Sequence, residues 1–197
     1  VITPFDAVFA DKTDATSPNA LKHADALVLW GGEDIHPKFY KQGMHFRNDN
    51  SNKNQLVASV RDMVEWHLMR EAHALGIPII GVCRGAQFLC AFSGGTLIQD
   101  CLGHNGPHDI ITSTGLSMNA SAGHHQMMNP APDTYELLAW APPKQGYNKQ
   151  MEHSKPATGE LVEKEIDPEV LWFPEIKGLA FQPHPEWMPP GSEFPRW

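Results

Sequence analysis

A cysteine stands between a short apolar run and the start of a helical pattern. Cys83 follows the run from Ile77 to Val82, with Gly81 two residues before it and Gly85 two residues after it. Glycines in these places allow the sharp strand-turn-helix bend that presents a nucleophile, and a helix N-terminus beside the thiol favours the thiolate. Because a lone cysteine is usually a buried structural residue, this pattern alone leaves catalysis and packing about evenly matched.

A histidine and a glutamate occur two residues apart near the end of the chain. His184 and Glu186 alternate with Pro183 and Pro185, which restrict the backbone and lower the entropy lost in holding the pair. On extended backbone, side chains at positions i and i+2 point the same way, so the carboxylate can orient one imidazole nitrogen while the other faces a thiol. A solvated surface pair is the commoner outcome of this spacing alone. Combined with the cysteine turn, the pair predicts a triad of Cys83, His184 and Glu186.

Two turns offer backbone N–H groups that could bind an oxyanion. The turn after Cys83 presents the N–H of Arg84, and the Gly31-Gly32 turn ends a neighbouring apolar run. Donors of this kind stabilise the negative oxygen that forms when a thiolate attacks a carbonyl group. The two turns therefore predict an oxyanion hole beside the cysteine.

The apolar pattern around these turns predicts an α/β fold. Short apolar runs that end at glycine are typical of buried parallel strands, and helical spacing between them indicates crossover helices. The expected architecture is a three-layer sandwich with a mostly parallel central sheet. The predicted strands are Ala26–Trp30, Ile77–Val82, Asp109–Thr112, Val170–Phe173 and Gly178–Gln182, and the predicted helices are Gln55–Leu75 and Arg84–Phe92. The Pro- and Gly-containing stretch from Ala141 to Gly159 is typical of a long excursion.

Composition and charge limit the classes of function. With 197 residues and 41% apolar content, residues 1–197 fit one domain with a substantial core. A net charge of −8 without a basic run argues against nucleic-acid binding. The apolar runs are far shorter than the roughly 20 residues of a membrane-spanning helix.

The cysteines and histidines limit the environment and the cofactors. Cys83, Cys90 and Cys101 form neither a disulfide framework nor a zinc ribbon, which predicts a reducing, cytoplasmic setting. Cys90 is expected in the core, and Cys101 has no visible partner. The eleven histidines show no His-Glu-x-x-His helix and no compact ligand spacing, so a metal hydrolase is disfavoured and no metal or other cofactor is predicted.

Five segments together resemble the class I glutamine amidotransferase superfamily, and within it the γ-glutamyl-γ-aminobutyrate hydrolase (peptidase C26) branch. They follow the family's order over residues 26–187, which argues against chance agreement. The resemblance implies the flavodoxin-like fold of that superfamily. The segments are Gly31–Pro37 with Tyr40, Arg61-Asp62 with Glu65, Gly81–Gln87 continuing to Gly94–Asp100, His124–Gln126, and Gln182–Trp187.

The resemblance also implies roles for individual residues. Cys83 is expected to be the nucleophile, His184 its general base and acid, and Glu186 the residue that orients His184. The backbone N–H groups of Gly32 and Arg84 are expected to form the oxyanion hole. Three further residues are expected to contact the substrate: Gln87, His125 and Gln126.

Other matching residues have a plainer interpretation. Arg61, Asp62 and Glu65 are interpreted as an ion-pair and packing feature of the long predicted helix. For His124 and His125, a functional pair and a loop pair both stay open.

The chain departs from the family pattern before its first strand. About 25 residues precede that strand, fewer than the roughly 30 of a strand-helix-strand unit, so part of the N-terminal βα unit is expected to be missing. The stretch from Ala141 to Gly159 is a candidate replacement for the missing pocket wall. The resemblance therefore predicts the type of reaction but does not identify the substrate.

The expected activity is hydrolysis of the γ-amide of glutamine or of a γ-glutamyl conjugate, through a γ-glutamyl thioester on the cysteine. One alternative is a glutaminase subunit that delivers ammonia to a separate synthetase partner, because the chain has no room for a synthetase domain. A further alternative is a non-catalytic binding protein on the same fold. The oligomeric state is open.

Overall fold

The turns predicted from the sequence lie at the ends of three neighbouring parallel strands. The computed structural model describes residues 21–44, 48–50, 57–101, 104–141, 167–189 and 191–192. Its helices are α1 (Val60–Leu75) and α2 (Arg84–Phe92), with 3₁₀ turns at Pro37–Tyr40 and Pro185–Trp187. Its strands are β1 (Leu27–Leu29), β2 (Ile79–Val82), β3 (Thr96–Ile98), β4 (His108–Thr112), β5 (Ser117–Ala120), β6 (Met127–Asn129), β7 (Glu136–Ala141), β8 (Asp167–Phe173) and β9 (Gly178–Phe181).

The main sheet has the strand order β1-β2-β9-β8-β7-β4-β5, and β3 pairs with β6 in a second, two-stranded sheet. The pairings of β1 with β2 and of β2 with β9 are parallel, whereas β9 to β5 are joined by antiparallel pairings. The predicted α/β class is confirmed, with its parallel part concentrated in β1, β2 and β9. The carboxyl ends of these strands lie side by side, which is where α/β proteins place their binding sites.

Helix α1 is shorter than the predicted helix that began at Gln55. Residues 51–56 lie outside the described residues, and the helix begins at Val60 because Ser59 caps it. The Ser59 hydroxyl accepts from the N–H of Asp62, and the Asp62 carboxylate accepts from the N–H of Ser59, which is a capping box. At the other end Gly76 takes the left-handed conformation that closes many helices.

Both described helices pack on the same face of the parallel strands. Leu29 and Ile79 of the sheet, Met69 of α1 and Leu89 of α2 belong to one buried apolar cluster. The helices also meet through aromatic rings, with Trp66 5.6 Å from Phe88 between centroids. Burial on this face holds α2, and with it the residue before α2, rigidly against the sheet.

A second apolar cluster lies on the opposite face. Val170 of β8 belongs to it while the next residue, Leu171, belongs to the first cluster, as expected for alternating side chains. No described helix covers this second face; residues 1–20 and 142–166 lie outside the described residues. The expected shortening of the N-terminal unit and the expected excursion after Ala141 concern these residues, so both lie outside the described part of the chain.

The remaining sequence expectations agree with the structure within a few residues. Helix α2 matches its predicted bounds, and the predicted strands appear as β1, β2, β4, β8 and β9. Four strands were not predicted, namely β3, β5, β6 and β7, because their alternation is weak and pairing with neighbours stabilises them. Neither described helix has the length and apolar character that crossing a membrane would require.

Candidate functional site

Cys83 lies at a sharp turn between β2 and α2, as the flanking glycines predict. Its backbone has φ 51° and ψ −107°, a conformation that non-glycine residues rarely adopt. A Cβ atom on Gly85 would overlap the carbonyl oxygen of Leu29 in β1, and one on Gly81 would overlap the backbone of Gly85. The two glycines therefore let β1, β2 and α2 approach closely enough to hold the strained cysteine.

The side chain next to the cysteine is anchored by ion pairs with α1. Arg84 is only 2% exposed and pairs with Asp62, at 2.5 Å, and with Glu65. Asp62 also accepts from the N–H of His36 and from the Asn50 amide. The interpretation of the Arg61, Asp62 and Glu65 group as an ion-pair feature is confirmed, and its partner is the first residue of α2.

His184 and Glu186 follow β9, the strand next to β2. The Nδ1–H of His184 donates to Oε1 of Glu186 at 2.7 Å, so in the neutral ring the other nitrogen, Nε2, carries the lone pair. Trp187 stacks on the imidazole with a centroid distance of 3.6 Å and an interplanar angle of 1°. The N–H of His184 donates to the Ser121 carbonyl at 2.9 Å. Side chain and backbone of His184 are thus held from three sides.

The imidazole and the cysteine converge on the Gly31 turn. A Cβ atom built on Gly31 would lie 3.5 Å from Cβ of Cys83, 2.9 Å from Cε1 of His184 and 3.7 Å from its Nε2. Both side chains therefore border the same small volume. His184 Nε2 is buried and has no hydrogen-bond partner among the described residues. Cys83 follows β2, whereas His184 and Glu186 follow β9, the neighbouring strand, much later in the chain. Their roles as a catalytic triad stay a prediction.

The thiol of Cys83 is strongly desolvated. The side chain is 6% exposed, and burial raises the pKa of the thiol to about 12. A backbone hydrogen bond from Arg84 acts in the opposite direction, while the charges of Glu186 and Asp34 add to the increase. The helix N-terminus favours the thiolate, as expected, but desolvation of the sulfur outweighs this effect. Deprotonation then requires a base, and His184 is adjacent.

The two predicted oxyanion donors belong to the turns that border the cysteine. The N–H of Arg84 reaches the Cys83 sulfur. Gly32 follows the turn that borders Cys83 and has φ 145°, and Arg61 holds this turn by donating to the carbonyls of Trp30, at 2.9 Å, and Gly31, at 3.1 Å. Arg61 therefore positions the loop that carries the second predicted oxyanion donor.

The predicted substrate contacts form one connected wall. The Gln87 amide on α2 donates to the carbonyl of Gln126 at 2.9 Å, and both side chains are buried. His125 is 22% exposed, and its Nε2–H donates to Asp34 at 3.0 Å, a bond that raises the pKa of His125. Gln87 and Gln126 contact each other within this wall, and His125 is its accessible member. Contact with a substrate stays a prediction for all three.

Several residues in and around the site were not predicted from the sequence. Asp34 and Trp187 stand inside matching segments, but only the folded chain brings them to His125 and His184. Two histidines without metal-ligand spacing in the sequence also come together in the structure. His104 and His124 lie beside Glu169 in a buried group. Their separation along the chain leaves no spacing signal that could have revealed this group.

Comparisons with known proteins show which family the sequence matches. The sequence profile of the peptidase C26 family matches residues 7–139. A Mycobacterium tuberculosis protein named "Putative glutamine amidotransferase Rv2859c" is 42% identical over 84 residues, which are 41% of this chain and 25% of that protein. Protein NtpR of Enterococcus hirae is 36% identical over 85 residues, 43% of this chain and 33% of its own length. The matched stretch thus spans about a quarter to a third of these relatives.

Solved structures resemble the fold at low sequence identity. A Thermoplasma acidophilum protein described as a "putative gmp synthase subunit a protein" has a TM-score of 0.53 at 17% identity, and the alignment covers 89% of this chain and 69% of that one. A glutamine amidotransferase of Methylobacillus flagellatus has a TM-score of 0.50 at 14% identity, covering 83% and 70%. At this identity the likeness concerns the fold alone.

Proposed function

The chain belongs to the peptidase C26 family, and from this premise we propose that it is a cysteine-dependent amidohydrolase acting on glutamine or a γ-glutamyl conjugate. Cys83 is the nucleophile, His184 the general base and acid, and Glu186 the residue that orients His184. The observation that carries the proposal is the approach of Cys83 and the lone-pair nitrogen of His184 to one point beside Gly31.

The first half of the reaction forms a thioester. Nε2 of His184 takes the Cys83 proton, and the sulfur attacks the amide carbonyl carbon. The carbonyl oxygen becomes an oxyanion, which the N–H groups of Arg84 and Gly32 stabilise. When the intermediate collapses, the C–N bond breaks and His184 returns the proton to the leaving nitrogen, which departs as ammonia or an amine.

The second half regenerates the enzyme. Water attacks the γ-glutamyl thioester carbonyl while His184 accepts its proton, and the C–S bond breaks with reprotonation of the Cys83 sulfur. The Glu186 carboxylate holds the imidazole tautomer and stabilises the imidazolium in both halves. Because the resting sulfur is a desolvated thiol, proton transfer to His184 accompanies attack and does not precede it by a long interval.

Covalent labelling tests this assignment directly. The protein is treated with the glutamine analogue 6-diazo-5-oxo-norleucine, the modified residue is mapped by mass spectrometry, and amine release is measured with glutamine and γ-glutamyl-γ-aminobutyrate. We expect labelling at Cys83 and loss of both label and activity in Cys83→Ala. The matched control is Cys90→Ala, a buried cysteine on the same helix that should keep both. Label confined to Cys90 or Cys101, or an active Cys83→Ala protein, would contradict the proposal.

The role of Glu186 has its own test. Glu186→Gln preserves shape but lets the amide impose the wrong imidazole tautomer, so we expect kcat to fall by roughly 10²- to 10⁴-fold, as for comparable triads. Substrate binding should change little, since Glu186 acts through His184. An unchanged kcat would remove Glu186 from the triad.

A second candidate is a glutaminase subunit that serves a synthetase. It is favoured by the fold likeness to a protein described as a GMP synthase subunit. The apolar side chains of Val28 and Trp30 beside the active-site turn are 40% and 48% exposed, which suits a partner surface. Strong hydrolysis of free glutamine by the isolated chain favours the stand-alone hydrolase, whereas activity that rises only with a partner favours the subunit.

A further inference from the structure

A buried cluster of histidines and carboxylates adjoins the wall formed by Gln87, His125 and Gln126, and it takes no part in the proposed triad. His104, His124 and Glu169 are 3%, 5% and 0% exposed, and one ligand atom from each lies within 4.8 Å of the others. His108 of β4 and Asp167 of β8 flank them. Burial of so many ionisable groups is costly unless something on the spot compensates them.

Each of the three central side chains keeps one atom without a hydrogen-bond partner. Among the described residues, Nδ1 of His104, Nε2 of His124 and Oε2 of Glu169 form no hydrogen bond, and all three atoms are buried. Nδ1 of His104 has one charged neighbour, Oε1 of Glu169 at 3.4 Å. An unsatisfied buried polar atom costs about 1–3 kcal/mol, so three in one place need an explanation.

The second atom of each side chain is fixed by a neighbour in the way that metal-binding residues are. Nδ1–H of His124 donates to the Gln126 carbonyl at 2.8 Å, so Nε2 carries the lone pair. Nε2–H of His104 donates to Asp167 at 3.2 Å, which leaves the lone pair on Nδ1 when the ring is neutral. His108 donates to Oε1 of Glu169 at 3.0 Å. Such outer hydrogen bonds set the tautomer and orientation of metal ligands.

We propose that His104 Nδ1, His124 Nε2 and Glu169 Oε2 bind one divalent transition-metal ion, with Zn²⁺ as the best fit. Two imidazole nitrogens and a carboxylate oxygen are a ligand set that zinc accepts. Zinc bonds of about 2.0–2.2 Å place tetrahedral ligand atoms roughly 3.3 Å apart, which is within the 4.8 Å limit that this cluster meets.

The metal would have a structural role, because it would stabilise the wall formed by Gln87, His125 and Gln126. The His124 ligand immediately precedes His125, and Gln126 accepts hydrogen bonds both from His124 and from Gln87 of α2. A metal bound to His124 and to Glu169 of β8 would therefore tie this wall to the central sheet. The inference concerns metal binding alone and stands independently of the hydrolase assignment.

The competing explanation is a proton in place of the metal. Nδ1 of His104 lies 3.4 Å from Oε1 of Glu169. Although burial lowers it, the contacts of the ring with Asp167 and Glu169 raise the pKa of His104 to about 9, so a protonated ring could neutralise the carboxylates. This explanation satisfies His104 but leaves Nε2 of His124 without a partner.

Metal content decides between the two. The purified chain is stripped with a chelator, reloaded with Zn²⁺ and gel-filtered, and bound zinc and the thermal midpoint are measured. His124→Asn keeps a donor for the Gln126 carbonyl and Glu169→Gln keeps an acceptor for His108, yet each removes a ligand. We expect near-stoichiometric zinc and a higher midpoint for the unmodified chain, and at least tenfold weaker binding in both variants.

Two controls exclude zinc held elsewhere. His73→Asn removes an exposed histidine on α1, and Cys83→Ser removes the thiol next to His184; both should keep full zinc binding. No zinc uptake by the unmodified chain, or equal uptake by His124→Asn and Glu169→Gln, overturns the proposal. If those variants do not fold, zinc-edge X-ray absorption of the unmodified chain decides: a shell of imidazole nitrogen and oxygen supports the site, and a sulfur shell overturns it.

Discussion

Replacement of Arg84 by methionine tests how α2 is anchored to α1. The methionine side chain fills most of the same space, packs against Phe88 and leaves the backbone N–H in place. What it removes is the charge that compensates Asp62 and Glu65, whose side chains are 0% and 13% exposed. The substitution therefore isolates the ion pairs from packing.

The expected loss follows from the burial of the partners. Removing one member of a buried ion pair destabilises a protein by about 3–5 kcal/mol, because the remaining charge stays buried without compensation. Asp62 keeps its donors from Asn50 and from the Ser59 N–H, and Glu65 is partly hydrated, so we expect the lower half of that range, about 3–4 kcal/mol. For a chain of this size that corresponds to a fall in the thermal midpoint of roughly 6–16 °C.

Urea unfolding of Arg84→Met, of Glu65→Gln and of the double variant measures the effect. Because Glu65 also pairs with Arg61 at 2.7 Å, this double-mutant cycle is needed to separate the coupling between Arg84 and Glu65 from the effect of each single change. Arg70→Met, on the exposed side of α1, is the matched control and should change stability by less than about 0.5 kcal/mol. A loss below about 1 kcal/mol in Arg84→Met, or a coupling energy near zero between Arg84 and Glu65, would refute the reasoning, since a buried pair should couple strongly.

Two further predictions concern the nucleophile turn. Gly85→Ala would place a Cβ against the Leu29 carbonyl, so we expect a loss of roughly 1–3 kcal/mol or more in urea unfolding and a drop in kcat, whereas Gly43→Ala, with open space around the new Cβ, should be close to neutral. Equal stability of these two variants would contradict the close approach. Because burial raises the pKa of Cys83 to about 12, its alkylation by iodoacetamide should accelerate up to the highest pH at which the protein stays folded, and a rate that levels off near pH 7 would contradict the desolvated thiol. A raised thiol pKa also means that this group's contribution to stability is full below the pKa of the unfolded chain and declines as the pH rises above it.

Much of the candidate site could be predicted from the sequence because local chemistry specifies it. Gly81 and Gly85 indicate a sharp turn, because a Cβ atom added at either position would overlap backbone atoms of a neighbouring segment. His184 and Glu186 are close in the chain, so their contact is local. A 3₁₀ turn at Pro185–Trp187, and not the expected extended segment, brings the ring and the carboxylate to 2.7 Å. Helix α2 begins and ends where its pattern indicated, since its apolar residues face one core.

The start of α1 and the four unpredicted strands were less accessible. A capping box at Ser59 sets the start of α1, and an apolar period that continues through the cap hides it. Strands such as β5 and β7 carry weak alternation of their own and are stabilised by pairing with β4. Such pairing depends on residues far away in the chain, which local patterns do not record.

The sequence by itself predicted the sharp turn at Cys83, the candidate triad residues and the α/β class, because each leaves a local signal. These signals are the flanking glycines, the close spacing of His184 and Glu186, and the apolar period. Only the tertiary structure decided that Arg84 is buried against α1, that the thiol is desolvated, and that His104, His124 and Glu169 meet. Burial and the convergence of side chains from distant strands are properties of the packed chain. The ionisation of a buried group, and its capacity to hold a metal, follow from its surroundings and not from its identity.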